Sequence, residues 1–448
     1  MKYPHAFPQS SSRTILAGLW AILSLLVFTP AYAGNAEKVF KQAPAYTVQI
    51  RTVVEVPFAE DWRSSSLGAG FVVDAERGWI MTNAHVSARS PSHIRIAFRG
   101  GKYKPATKVY VDPYLDLAIL QLGDAQRQGL TAATLDCSEM PAMGHPVGAF
   151  GHPWGLSYTG TRGIISGVTA QVGGEMLQTD APINGGNSGG PLISLESGKV
   201  VGINTSSMGR DDDQNTNFAT PMKYACRVLE LLQAGKDPSP PRLSTVFIKD
   251  LDDYGVLIVG ETYLGADTIA LQSGDLINGV VGVPGEIHNE GQLVHALRGR
   301  LAHVRLKIAR AGIHRTVTGH FNPAGRVTER QGVYVSGVLF APAGFRDSQE
   351  LNLTQPLVAH SVQRGSLAQS LEIEKWDMLV KLDGQPVRGL GDLYARVQAA
   401  READKPVTLV LKRWSSEYDQ LYDYVERTVA IEDLEFVGTA SNENVARQ

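Results

Sequence analysis

Apolar and polar residues alternate in short runs over the first half of the chain. The runs at 47–56 (TVQIRTVVEV), 68–74 (GAGFVVD), 78–86 (GWIMTNAHV), 93–98 (HIRIAF), 115–122 (LDLAILQL), 163–168 (GIISGV) and 199–205 (KVVGINT) read as strands separated by glycine, proline and polar turns. Many short strands at even spacing predict an all-β barrel or sandwich. The period changes at 221–234, where Met222, Ala225, Val228, Leu229 and Leu232 recur at helical spacing. Pro221 suits a first helical turn and Gly235 a C-terminal cap.

The stretch DPSPPR at 237–242 is a stiff linker by composition. After it one order of elements occurs twice. Strand-like runs at 256–261 and 272–282, a helical pattern at 290–299 and a strand-like run at 304–310 form the first set. The second set is 356–362, 375–384, 390–401 and 407–413, with a longer lead-in at 333–345. This predicts a repeated small αβ module of roughly 80–100 residues. The last dozen residues are polar and expected to fray.

The 448 residues allow two or three domains, and 43% hydrophobic with 19% charged residues is ordinary globular composition. A formal net charge of -3 gives no reason to expect nucleic acid as a partner. Lys2 and Arg13 precede the apolar run 15–28, and Ala31-Tyr32-Ala33 follows. That reads as a secretory signal peptide cut after Ala33, with an uncleaved anchor as the alternative. Export implies an oxidising compartment, yet only Cys137 and Cys226 are present. They form either one bridge or two buried thiols.

Residues 179–192, TDAPINGGNSGGPL, set Gly185, Gly186, Gly189 and Gly190 around Ser188. Glycines beside a serine in a tight turn free its hydroxyl and let backbone N–H groups converge where an oxyanion would form. A serine nucleophile also needs a base and an acceptor that orients the base. His85, at the end of the apolar strand GWIM, is the candidate base, and Asp116, between Leu115 and Leu117, the candidate orienter. G-x-S-x-G also describes the nucleophile elbow of α/β-hydrolases, which demands a strand–turn–helix context. Here PLI, a turn and KVVGIN follow, which is a hairpin. His145 and His152 precede prolines in loop sequence with no third ligand apparent, so no metal site is assigned.

TNAHV, DLAIL and QTDAPINGGNSGGPL, in that order, together with GINT (202–205) and NFATP (217–221), resemble the HtrA (DegP-like) family of trypsin-like serine proteases. The resemblance implies a multidomain protein: a chymotrypsin-like all-β double barrel followed by two small α+β PDZ-like domains. The expected limits are signal peptide 1–33, protease domain 34–240, and PDZ-like domains at 243–322 and 327–435. It implies His85, Asp116 and Ser188 as the catalytic triad, with the backbone N–H groups of Gly186 and Ser188 as the oxyanion hole. No metal or organic cofactor is implied. Thr216, Asn217, Phe218 and Ala219 are expected to line the substrate edge. Where the family usually has glycine this chain has Asn217, which suggests a smaller or more polar first pocket. Asn187 is neutral and cannot pair with a freshly cut N-terminal amine, so control is expected from loops at 151–163, 170–176 and 206–217. The last holds Arg210, Asp211, Asp212 and Asp213, which read as a solvated turn.

PDZ domains add a peptide as a strand at a sheet edge and take its carboxylate on backbone N–H groups. Tyr254, Gly255, Val256 and Leu257 are the candidate cradle in the first module, and residues 331–334 or a set just before 356–362 in the second, with modules that only build an assembly as the alternative. The expected function is cleavage of unfolded or damaged exported proteins in the periplasm. The expected partners are unfolded polypeptides and C-terminal peptides, and the chain is expected to form a homo-oligomer, trimeric or larger. Phe40 and Tyr46 are candidate trimer contacts, with core packing as the alternative. The alternative function is a peptide-binding periplasmic chaperone or scaffold with a largely silent protease domain.

Overall fold

A computed structural model of the chain describes residues 32–155, 158–169, 175–205, 216–248, 255–262, 269–344, 353, 355–415 and 422–438. The expected signal peptide up to residue 31 and the charge run at 210–213 lie outside the described residues.

The first barrel closes through β1 (Thr47–Val54), β2 (Ser64–Asp74), β3 (Trp79–Thr82), β4 (His93–Phe98), β5 (Lys104–Asp112) and β6 (Leu117–Leu122), in the order β1-β2-β3-β6-β5-β4. Its inward positions are the apolar residues of the alternating runs: Val48, Ile50, Phe71, Ile80, Leu117 and Ile119 are fully buried. The second barrel closes through β7 (Pro146–Gly151), β8 (Thr159–Thr169), β9 (Met176–Thr179), β10 (Pro191–Ser194), β11 (Val200–Thr205) and β12 (Asn217–Pro221), in the order β10-β11-β12-β9-β8-β7. Helix α1 (Tyr32–Gln42) precedes the first barrel, and the one-turn α2 (Ala84–Ser87) follows β3. Helix α3 (Met222–Gln233) closes the region and buries Met222, Ala225, Val228 and Leu229.

Pro221 ends β12 and serves as the N-cap of α3 instead of its first helical residue, because its ψ of 133° is extended. Gly235 does cap the other end, at φ +66°. Its N–H donates to Leu232 O and that of Lys236 to Leu231 O, the paired bonds of a Schellman motif. Cys226, on α3, is bridged to Cys137. Phe40 packs edge-on to Phe150, and Tyr46 is buried in the same core.

The first module is a sheet of β13 (Thr245–Ile248), β14 (Leu257–Thr262), β15 (Leu276–Val280), β16 (Val304–Arg310) and β17 (Ile313–Gly319), in sequence order. Helix α4 (Glu290–Leu297) carries its apolar face onto the sheet, with Asn289 as N-cap accepting Gln292 N–H. The second holds β18 (Gln331–Val335), β19 (Val338–Ala341), β20 (Val358–Val362), α5 (Leu367–Ser370), β21 (Met378–Leu382), β22 (Gln385–Pro386), α6 (Leu390–Glu402), β23 (Val407–Trp414), β24 (Tyr422–Val429) and β25 (Leu434–Gly438). Its main sheet order is β24-β23-β21-β20-β19-β18-β25. The neighbours β13-β14-β15-β16-β17 thus correspond to β19-β20-β21-β23-β24, the repeat read in sequence with one more strand at each end. The modules differ at one edge. Among the described residues β13 ends its sheet, whereas β19 is covered by β18 and β25.

Both modules dock on the barrels. Glu175 joins the first: its carboxylate accepts from Tyr224 Oη on α3, from Asn289 Nδ2 at 3.0 Å and from Gln292 Nε2 at 2.7 Å. The β1–β2 connection joins the second. Phe58 is buried there with Leu339, Ala341 and Val437, and Ser361 Oγ donates to Pro57 O at 2.6 Å.

Candidate active site

β3 is buried along its length and ends at Thr82. The chain then turns through Asn83 into α2, so His85 stands on a single helical turn where sequence indicated only a turn. Its side chain is 38% exposed. Asp116 lies in the turn between β5 and β6, held in place by buried Leu115 and Leu117 on either side. Its backbone is left-handed, φ +48°, a costly conformation for a residue other than glycine. That twist aims the carboxylate at α2. Oδ1 accepts His85 N–H at 3.0 Å, and Oδ2 lies 2.6 Å from His85 Nδ1. A carboxylate only accepts, so the proton is on Nδ1 and Nε2 carries the lone pair. Asn83 Nδ2 donates to Asp116 O at 2.9 Å and ties the two segments again. Arg89 Nη2 is 3.8 Å from Asp116 Oδ1.

Ser188 sits in the turn before β10 and is 5% exposed. Its carbonyl accepts Ala69 N–H at 2.8 Å, which seats the turn on β2 of the first barrel. A Cβ on Gly189 would lie 2.1 Å from Thr82 Oγ1 and 3.1 Å from Asn83 N. The serine turn therefore abuts the end of β3 that leads to His85. His85 and Asp116 are in contact, and the serine turn lies against β2 and the end of β3. Among the described residues Ser188 Oγ makes no hydrogen bond to His85; in free enzymes that bond is often long and tightens around substrate.

The glycines of this turn are there for close backbone approach. Gly186 has φ +106°, and a Cβ on it would lie 2.2 Å from His152 O. His152 N–H and Trp154 N–H donate to Gly186 O and Gly185 O, packing the 152–155 loop onto the turn. Within the turn the N–H of Asn187 goes to Asn184 O, that of Gly189 to Asn204 O and that of Gly190 to Asn187 O. The N–H groups of Gly186 and Ser188 donate to nothing among the described residues. These are the two donors expected to receive an oxyanion.

The other expected sites fare differently. Ala219 is buried, and Phe218 pairs with both Thr205 of β11 and Gln178 of β9. Both backbone sides of Phe218 and Ala219 are paired, one to β11 and the other to β9. Asn217 pairs with Thr179 and donates from Nδ2 to Ala181 O at 3.0 Å, joining β12 to the segment before Ser188. Thr216 precedes the ladder and is half-buried. Of the expected cradle, Tyr254 lies outside the described residues. Gly255 O accepts from His288 Nδ1 at 2.9 Å. Val256 precedes β14, and Leu257 is buried within it. β14 is paired with β13 and with β15, so strand addition cannot occur along it. Sequence could not separate β13 from β14, because edge position is a property of pairing. Of the two loop histidines, His145 Nε2 is 2.8 Å from Ser194 Oγ and His152 packs edge-on to Tyr158.

Residues 68–203 match the family model of the trypsin-like peptidase domain. A probable periplasmic serine endoprotease, DegP-like, of Halomonas elongata is 34% identical over 272 residues, covering 56% of this chain and 56% of that protein. The serine endoprotease DegS of Escherichia coli is 36% identical over 177 residues, 37% of this chain and 48% of its own length. The chain spans about half the length of these curated relatives. Among solved structures, the HtrA-type protease AlgW with a tripeptide superposes with TM-score 0.53 at 28% identity, covering 66% of this chain and 99% of that one.

Proposed function

We propose that the two-barrel domain belongs to the HtrA family of trypsin-like serine proteases and that the protein is a serine endopeptidase of unfolded or damaged exported proteins. Ser188 Oγ attacks the scissile carbonyl while His85 Nε2 takes its proton. The N–H groups of Gly186 and Ser188 hold the oxyanion. His85 then protonates the leaving amine, and water activated by the same imidazole resolves the acyl-enzyme. Asp116 fixes the tautomer and stabilises the imidazolium. This chemistry uses no metal or organic cofactor. The reading is carried by the 2.6 Å contact of His85 Nδ1 with Asp116 Oδ2, beside a serine turn seated on the strand that leads to His85. An extended chain can lie along a strand edge in the cleft and a folded one cannot, which favours unfolded substrates.

We place the protein in the periplasm, with residues 1–33 removed. Relatives with periplasmic serine endoprotease in their names support this, as does a disulfide in a chain with two cysteines. The modules at 243–322 and 327–435 are read as PDZ-like. The first takes an extended C-terminal peptide along β13; the second, whose matching edge is covered by the chain's own β18 and β25, serves assembly. The protein acts as a homo-oligomer, trimeric or larger, on the precedent of the family resemblance.

The test is digestion of denatured and native casein by the full chain and by Ser188→Ala. The proposal expects cleavage of the denatured protein by the wild type only. Equal turnover by both proteins would leave a binding or chaperone role in its place.

A further inference from the structure

One contact between the first module and the first barrel has no part in the chemistry above. Arg298, the C-cap residue of α4, and Asp112, at the end of β5, both have side chains with 0% exposure. Arg298 Nη1 donates to Asp112 Oδ2 at 2.6 Å and to Pro238 O, in the linker, at 2.6 Å. Among the described residues it is the only cation within 4.0 Å of Asp112.

Asp112 uses the rest of its carboxylate on the neighbouring turn. Oδ1 accepts the N–H groups of Tyr114 and Leu115, both at 3.0 Å, and Oδ2 accepts Tyr110 Oη at 3.0 Å. Leu115 O in turn accepts Thr220 Oγ1 of β12 at 3.0 Å. This is the turn that delivers Asp116 at φ +48°. A carboxylate cut off from water is costly to leave without a facing cation. The turn is therefore braced by a charge that the first barrel does not itself neutralise.

We propose that Arg298 is a positioning residue for the peptidase reaction: docked from the first module, it neutralises Asp112, and Asp112 holds the turn that presents Asp116 to His85. The inference rests on the His85–Asp116–Ser188 reading. It makes the first module part of the construction of the active centre. Withdrawing the module removes the cation, and Asp116 loses the backbone that aims it. Ser188 and its N–H donors are untouched, so the loss falls on the base and not on substrate binding.

The test uses the full chain and fluorescently labelled denatured casein, with Ser188→Ala as the blank. Arg298→Met is expected to lower kcat at least about tenfold with KM within about twofold, since misplacing the triad aspartate acts on proton transfer. The acid limb of its kcat/KM profile moves to lower pH, because the imidazolium has lost its acceptor. Arg298→Lys keeps the charge and retains part of the activity. The double variant Arg298→Met/Asp112→Asn recovers kcat relative to Arg298→Met, because the substituted amide still accepts from the turn through its side-chain oxygen and no buried charge is left unpaired. A merely structural role moves neither the pH profile nor the double variant in this way. If Arg298→Met does not fold, Arg298→Lys takes its place in the profile comparison. A wild-type kcat and pH profile in the variant, a loss confined to KM, or a double variant no better than the single one overturns the inference alone. Wild-type activity no higher than Ser188→Ala defeats it together with the peptidase reading.

Discussion

Ala59 N–H donates to His360 Nδ1 at 3.3 Å, across 301 residues of chain. On its other side His360 Nε2 donates to Pro342 O at 3.0 Å, so the ring is held neutral with one nitrogen accepting. Phe58 meets it edge-on at 5.4 Å, and Glu60, Arg330 and Lys375 are the charges around it. Burial is the main cause that brings its pKa down from 6.5 to about 4. The undocked ring takes up a proton that the docked ring refuses. Docking is therefore favoured most above pH 6.5 and weakens as pH falls towards 4, by about 3 kcal/mol at the limit. Protection factors at 55–63, taken relative to the intrinsic exchange rate at each pH, should fall on acidification from pH 7 to 4.5, and His360→Gln should flatten that dependence. Protection factors independent of pH in the wild type would refute it.

The Cys137–Cys226 bridge spans 89 residues and ties the loop before β7 to α3. Closing a loop of that length restricts the unfolded chain by up to about 4–5 kcal/mol in the chain-entropy description. Cys226→Ser should lower the urea midpoint of the two-barrel transition, and reductant should do the same to the wild type. An unchanged midpoint in both would count against the bridge.

Gly186→Ala places a methyl against His152 O and requires φ +106° of an alanine. The turn must shift and with it one oxyanion donor. We expect kcat to fall by roughly 10²–10³ with KM little changed. Casein kinetics read this directly, and a change in KM alone would contradict the assignment of that N–H.

We propose Asn217 as a residue of the first specificity pocket. Its side chain bridges to Ala181 O and fills space beside the serine segment. Asn217→Gly removes the bridge and opens the first pocket, so cleavage sites in casein should move towards larger side chains before the cut. Peptide mass mapping measures this, and an identical cleavage map would place the pocket elsewhere.

What could be read from sequence was whatever depends on near neighbours. The strand alternation of 47–54, the capped helix at Met222–Gln233 and the repeated order of the modules all follow from local period and cap chemistry. The three candidate catalytic residues came from TNAHV, DLAIL and the glycine–serine stretch taken together, since each is a weak signal alone. β5 was missed because its first half is exposed and has no clean alternation. Phe58 carries no signal of its packing, since nothing near it in sequence hints at Leu339 or Val437. Arg298 and Asp112 are 186 residues apart, and neither has a motif that names the other. Strand β13 could be recognised as an edge only once its partners were placed.

The central claim, that His85 activates Ser188, is tested most directly by covalent labelling. Full chain treated with diisopropyl fluorophosphate should carry one phosphoryl adduct on Ser188 by peptide mass spectrometry. His85→Ala should slow that labelling by at least about a hundredfold, because the hydroxyl loses its base. An adduct absent from Ser188, or formed equally fast without His85, would contradict the account.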